Sequence, residues 1–482
     1  MNEARALLTN TAALGVSKVI ERACTVLLTI VVARKFGAAA LGVYAAAMVV
    51  LNLVALTAEM GSNAYLVREI ARDKSQTSRY LAHITVIVAT LSLLVTIVAF
   101  GIVDHLGYSL ELTRAIYMVL FAAFPAAMRV VLEAVFVAYQ RVTFIAYCSA
   151  IGGATLIAVS VVLMALGYGV ITLIAAVGVE QIVITVASFL FIRGFLCPIH
   201  WEFQITTAIR ILREIKAFTG FSLLTGLLSR PEILILSAVR SVSEVGYYAA
   251  ALRFVDLWQL VPQTYMVNLY PLLSRFQGHT KFDLIRDKSI QYLVAFSLPV
   301  AAATVVLARP IIQFLYGTTF SPSIPLMRLL AINIPLVSLW TALWRILAAH
   351  DAAGTVLQSQ VLAMIVRLLA GTALIIIWGS MGAAVIVPIA QFLVDGLLLA
   401  AAHRRGADIR IVRLSWRFAL ATGLMSLSMI PLVPHFRLWL LIPLSGIVYI
   451  VATIAVGAFS TEDLELVRRM SRKESLLESS SA

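Results

Sequence analysis

Fourteen apolar stretches recur along this chain, each about 20 residues long, the length that crosses a bilayer as one helix. They lie at roughly 11–33, 39–60, 80–103, 114–138, 143–166, 170–192, 218–239, 245–270, 290–308, 323–348, 356–378, 382–402, 414–433 and 438–458. Such a pattern predicts an all-α, polytopic membrane protein, because hydrocarbon tolerates a spanning backbone only when its hydrogen bonds close within the segment. The composition agrees: 61% of the 482 residues are hydrophobic and 13% are charged, against about a quarter charged in soluble domains.

The spans are not independent. Gly42-Val43-Tyr44-Ala45-Ala46-Ala47 returns 204 positions later as Gly246-Tyr247-Tyr248-Ala249-Ala250-Ala251, with Leu53 and Leu257 in register. The turn Gly167-Tyr168-Gly169 has a counterpart in Gly379-Ser380-Met381-Gly382, and the helix ends Arg193-Gly194 and Arg405-Gly406 lie 212 positions apart. Fourteen spans then divide as six, six and two. This predicts an N-terminal lobe over 1–193, a cytoplasmic interlobe linker over 194–217, a C-terminal lobe over 218–406, helices 13 and 14 within 407–460, and a cytoplasmic tail over 461–482. Six is even, so the second lobe re-enters from the same side as the first. The copies are parallel, related by an axis along the membrane normal, and enclose a cavity between them.

A formal net charge of +13 does not require a nucleic-acid partner. Lys and Arg concentrate in alternate loops, among them Arg68, Arg72 and Lys74, Arg210, Arg213 and Lys216, Arg286 and Lys288, and Arg404 and Arg405, whereas the opposite loops hold little beyond Arg34, Lys35, Arg114, Arg240, Arg309 and Arg437. That bias puts both termini in the cytoplasm. Cys24, Cys148 and Cys197 are too widely spaced for a metal motif and read as apolar fillers. The first span carries Lys18, Glu21 and Arg22 and no small-residue cleavage site follows, so it is read as a retained helix and not a signal peptide.

Charge inside the spans carries the function. Lys18, Glu21 and Arg22, Arg129 and Glu133, Glu180, Arg230 and Glu232, Arg253 and Asp256, Arg367, and Asp395 all fall at membrane depth. Facing lipid, a dozen such groups would cost on the order of 30 kcal/mol, so they must line an interior. Arg129 with Glu133 and Arg253 with Asp256 also have the spacing of plain intrahelical pairs, whereas Arg367 has no acid within a turn. Arg328 and Arg345, near the ends of span 10, are expected to snorkel to headgroups, and Glu59, at the end of span 2, to be solvated. Pro231 removes a backbone donor inside span 7 and loosens it. Asn52 and Asp256, at matching positions of the repeat, are expected to face each other across the axis. A lumen holding Lys18, Arg22, Arg230, Arg253 and Arg367 suits a multiply anionic headgroup, since guanidinium forks bind phosphate or carboxylate at any physiological pH. The acids Glu21, Glu180, Glu232, Asp256 and Asp395 are candidates for coupling transport to protons or sodium.

The run Arg34-Lys35-Phe36-Gly37, then Leu41-Gly42-Val43-Tyr44, Glu59-Met60-Gly61 and Leu66-Val67-Arg68-Glu69-Ile70-Ala71, resembles the polysaccharide (O-antigen) flippases of the multidrug/oligosaccharidyl-lipid/polysaccharide exporter superfamily. The segment Pro310-Ile311-Ile312-Gln313-Phe314-Leu315-Tyr316-Gly317 with Phe320 resembles the same family after its ninth helix. The resemblance implies a V-shaped pair of six-helix lobes in the bacterial inner membrane. By alternating access it would carry a polyprenyl-pyrophosphate-linked oligosaccharide from the inner to the outer leaflet. It further implies that helices 13 and 14 form a groove for the polyprenyl chain and that polysaccharide polymerase machinery receives the product. It supplies no site residue, so the charged residues rest on the local argument. A multidrug or cation antiporter and a peptidoglycan-precursor flippase of the same superfamily stay open as alternatives.

An enzyme is disfavoured. Outward loops are short, no Asp-x-Asp pair or phosphate-cradling Gly-rich loop with Lys occurs, and the seven histidines lack ligand spacing. No catalytic residue, metal or cofactor is expected.

Overall fold

The computed structural model describes residues 2–458 except 229, 277–279, 350–351, 406 and 408; the expected tail lies outside the described residues. Its nineteen α-helices are α1 (Asn2–Glu59), α2 (Ser62–Arg72), α3 (Thr77–His105), α4 (Leu110–Leu120), α5 (Ala123–Ala138), α6 (Thr143–Ala165), α7 (Val170–Phe195), α8 (Ile205–Leu228), α9 (Pro231–Val239), α10 (Val242–Leu257), α11 (Leu260–Arg275), α12 (Thr280–Val306), α13 (Ala308–Tyr316), α14 (Ser323–Ala331), α15 (Asn333–Ala349), α16 (Ala353–Trp378), α17 (Ser380–Arg404), α18 (Ile411–Met429) and α19 (Leu438–Ala455). No strand occurs among the described residues.

The expected fourteen spans do not appear as fourteen continuous helices. Nine helices among the described residues are long and apolar enough to cross a membrane, and the bent pair α4–α5 would make a tenth. The differences have local causes. Spans 1 and 2 merge in α1, whose apolar part, 43 residues, would reach about 65 Å if straight, twice the hydrocarbon thickness. Gly37 (φ 83°, ψ −173°) breaks it in two. Span 7 is split at Arg230-Pro231, where Pro231 opens α9 because its missing N–H is unpaired there anyway. Span 8 is split between α10 and α11, and α18 brings Arg413 and Arg417 into its first two turns.

Glu59 is 4% exposed, not solvated. Met60 and Gly61 turn the chain through left-handed backbone, and the Glu59 carboxylate accepts from Gly61 N at 3.2 Å and Asn63 N at 2.5 Å. It thereby satisfies donors at the start of α2 that would otherwise be unpaired.

The repeat is visible in contacts. The part of α1 beyond Gly37 crosses α10 at the duplicated glycines: a Cβ on Gly42 would lie 1.8 Å from the Val242 carbonyl oxygen, and one on Gly246 would lie 1.9 Å from that of Ala38. Only glycine lets the two backbones meet this closely. Basic side chains at equivalent places cap equivalent helices: Lys35 Nζ donates to Met164 O at the end of α6 (2.8 Å), and Arg240 Nη2 donates to Ile376 O at the end of α16 (2.7 Å). Gly167 and Gly379, just beyond those ends, both have positive φ. Arg34 reaches from the first half to the second, donating to Phe314 O and Leu315 O at the end of α13.

The linker is only partly irregular. Residues 196–204 are non-helical, and from Ile205 the chain is already in α8, which runs on into span 7. This segment is tied to α3: His200 N donates to Ser78 Oγ, Gln204 N to His83 Nε2, and Arg79 Nη2 to Thr207 Oγ1.

α18 and α19 pack on α12. Between them and Phe254 and Trp258 lies an apolar cavity of about 320 Å³, lined by Pro299, Met425, Gly446 and Tyr449.

Candidate functional site

Two charged clusters form among the residues expected at membrane depth. In the first half, α1 and α5 bring four groups together. Arg129 is 12% exposed and donates from Nη2 to Glu21 Oε1 (2.8 Å) and from Nε to Glu133 Oε1 (2.9 Å). Lys18 Nζ donates to Glu21 Oε2 at 3.2 Å. The expected Arg129–Glu133 intrahelical pair therefore forms, but as one arm of a fork whose other arm crosses to another helix. Glu180, on α7, lies within electrostatic reach of Arg129 and Glu21 without making an ion pair among the described residues.

In the second half, Glu232 stands in the first turn of α9, where the helix dipole favours an anion. It is 2% exposed and takes Arg367 Nη2, from α16, at 2.5 Å and the Tyr248 hydroxyl, from α10, at 3.3 Å. Asp256 is the second hub: Arg230 Nη2 donates to Oδ2 at 2.7 Å and Gln259 Nε2 to Oδ1 at 3.2 Å. Asp256 thus takes Arg230 from the break before α9, and the intrahelical pair with Arg253 is not formed. Asn52 does not meet it either; its amide donates to Met48 O on its own helix.

Among the described residues one hydrogen bond joins the clusters. Arg22 Nη1, on α1, donates to the backbone carbonyl of Asp256 at 3.2 Å. Arg22 and Arg253 are the cavity candidates without a carboxylate partner among the described residues, and Arg253 lies within electrostatic reach of the buried Tyr44 and Tyr316. Lys18, Arg230 and Arg367 are each held by an acid. Asp395, on α17, stands apart, with Gln391 Nε2 donating to its Oδ1 at 3.1 Å. Arg345, expected at the headgroups, donates to Thr341 O and lies over the Trp344 ring.

Sequence reasoning missed Tyr248, Gln259 and Gln391. Gln391 was legible as the residue one turn before Asp395; Tyr248 gave no signal beyond its place in the repeat.

Buried guanidinium–carboxylate pairs of this kind are costly to break one-sidedly. The arrangement can hold an anion only where a cation is uncommitted, or where the anion replaces a resident carboxylate. Among the described residues no group of three or more His, Cys, Asp or Glu could hold a metal ion.

No curated protein sequence matches this chain. Solved structures similar to it include the lipid II flippase MurJ in an inward closed conformation, 14% identical over 93% of this chain and 98% of that one, with a TM-score of 0.77. A multidrug resistance MATE family transporter of the MOP superfamily in an inward-facing conformation is 15% identical over 84% and 99%, with a TM-score of 0.67. A MOP superfamily transporter from Pyrococcus furiosus, described as having a binding pocket of reverse polarity, is 15% identical over 85% and 96%, with a TM-score of 0.62. At such identities the likeness establishes the fold alone. The family model for polysaccharide biosynthesis proteins matches residues 31–325. The match covers more than half of the chain, which therefore belongs to the polysaccharide biosynthesis protein family, built on the fold shared by MurJ and the MATE transporters.

Proposed function

We propose that this protein is a flippase that moves a polyprenyl-pyrophosphate-linked oligosaccharide from the cytoplasmic to the outer leaflet of the bacterial inner membrane by alternating access. Both termini lie in the cytoplasm, and the glycan is delivered to polymerase machinery on the far side. Arg22 and Arg253 carry the reading. They are cations at membrane depth with no carboxylate partner among the described residues, and they lie on opposite sides of the junction between the two halves. A pyrophosphate offers each a charge-assisted contact. Binding to Arg22 competes with its bond to the Asp256 carbonyl, so cargo loosens a tie between the halves. Lys18, Arg230 and Arg367 complete the positive lining, while Glu21, Glu180, Glu232, Asp256 and Asp395 are candidates for ion coupling. The apolar cavity beside α18 and α19 suits a hydrocarbon chain.

The test is sidedness of pyrophosphate-linked oligosaccharide in sealed vesicles holding the purified protein, scored by access of an external sugar-modifying enzyme. Protein-dependent transfer that disappears in Arg22→Ala and Arg253→Ala supports the reading. Absence of transfer for several such lipids, with efflux of a cationic dye, moves the assignment to drug export.

A further inference from the structure

One carboxyl in the second half takes no part in the paired network. Asp395 is 2% exposed, on α17 beside Val394 and Leu398, which pack with Leu343 and Leu347 of α15. Its Oδ1 accepts from Gln391, and its Oδ2 has no hydrogen-bond partner among the described residues. The charged side chains on the elements packed against α17 are occupied elsewhere or act on other groups. Arg367 on α16 holds Glu232 on α9; Asp256 on α10 holds Arg230; Glu244 on α10 accepts from Ser380 N; Arg345 on α15 donates to Thr341 O. Arg253 on α10, Arg328 on α14, and His403 and Arg404 at the end of α17 make no ion pair with it either among the described residues.

A bare carboxylate this deeply buried is among the costliest arrangements a protein can hold. The place therefore calls for a positive charge. A hard metal cation takes several oxygen ligands at once, and among the described residues Asp395 belongs to no group of three or more His, Cys, Asp or Glu that could supply them. A proton needs only the one unused oxygen. The other acids fit less well: Glu21, Glu232 and Asp256 already have a cation, and Glu180 is half-buried within reach of Arg129.

We propose that Asp395 is the proton-binding site that couples transport to a proton gradient, its carboxyl gaining a proton at one membrane face and losing it at the other as access alternates. This rests on the transporter reading above. Water must reach the buried Asp395 carboxyl for exchange, so loading and unloading belong to different conformations.

The experiment uses the full chain in sodium-free liposomes, with infrared difference spectroscopy of carboxyl groups and an entrapped pH-sensitive dye. Wild type should show a protonated-carboxyl band that is missing in Asp395→Asn and shifted in Gln391→Leu, which removes the one hydrogen bond but keeps the acid. An imposed pH gradient should speed transfer of polyprenyl-pyrophosphate-linked oligosaccharide, and Asp395→Asn should lose that stimulation, with partial rescue by Asp395→Glu. A band unchanged in both variants overturns the proposal, as does gradient stimulation retained by Asp395→Asn or stimulation of wild type by sodium alone. A wild type that moves no such lipid, yet shows the Asp395 band and gradient-driven dye efflux, keeps the proton site and removes the lipid cargo.

Discussion

Replacing Gly42 by alanine adds one methyl group at a close backbone crossing between the two halves. The new Cβ would lie 1.8 Å from the Val242 oxygen and 2.9 Å from Gly246 N, where contacts under 3.0 Å essentially never occur. Both obstacles are backbone, so no side chain can swing away, and the helices must part by about 1.2 Å. Overpacking of this sort costs about 1–3 kcal/mol. Alanine is otherwise the better helix former by about 1 kcal/mol, so a loss cannot come from helix propensity. If the halves can separate here, the same energy becomes a shift of about 5- to 150-fold toward the separated state. Spin labels at Leu166→Cys and Trp378→Cys, both exposed at equivalent helix ends, in a cysteine-free background, report the separation by double electron–electron resonance. Gly42→Ala should enlarge the long-distance population, Gly246→Ala should do the same, and the double variant should fall short of additivity because both methyls act at one crossing. An unchanged distance distribution together with an unchanged melting temperature would refute the reasoning.

The paired and unpaired cations should separate by phenotype: Arg367→Ala strands the buried Glu232 and should cost about 3–5 kcal/mol in stability, whereas Arg22→Ala and Arg253→Ala should abolish transfer at near-normal melting temperature, as read by thermal unfolding beside the vesicle assay. Glu59→Ala removes the acceptor for Gly61 N and Asn63 N and should cost about 1 kcal/mol, with faster amide exchange confined to the start of α2. Gly446→Phe should fill the apolar cavity, since nothing lies within 4 Å of a Cβ there; transfer of long-chain polyprenyl substrates should fall more than that of short-chain analogues.

Periodic apolar runs made the all-helical membrane fold legible, because helix length follows from spacing, and the repeated Gly-x-Tyr-Ala-Ala-Ala marked the two helices that cross at Gly42 and Gly246. The residues of the candidate site drew notice for a similar reason: a charge within an apolar span stands out in a chain this apolar. Pairing was not. Arg367 finds Glu232 across 135 positions and Arg129 finds Glu21 across 108, and no local spacing encodes such partners. Glu59 was misread because a carboxylate at a helix end in a loop-rich region looks solvated; its burial depends on Met60 and Gly61 turning the chain so that α2 points its donors back. The breaks at Gly37, between the expected spans 1 and 2, and at Pro231, expected to loosen span 7, were legible, because glycine and proline interrupt a helix through their own backbone chemistry.

The glycine crossing between α1 and α10 has the geometry of an isologous interface, in which each side presents the same feature to the other. In a half-length chain associating with a copy of itself, a single glycine would satisfy both contacts at once. Fusion into one polypeptide dissolves that economy. Gly42 and Gly246 must now be retained separately, and each half is free to change every residue around the axis except the one that its twin's backbone occupies.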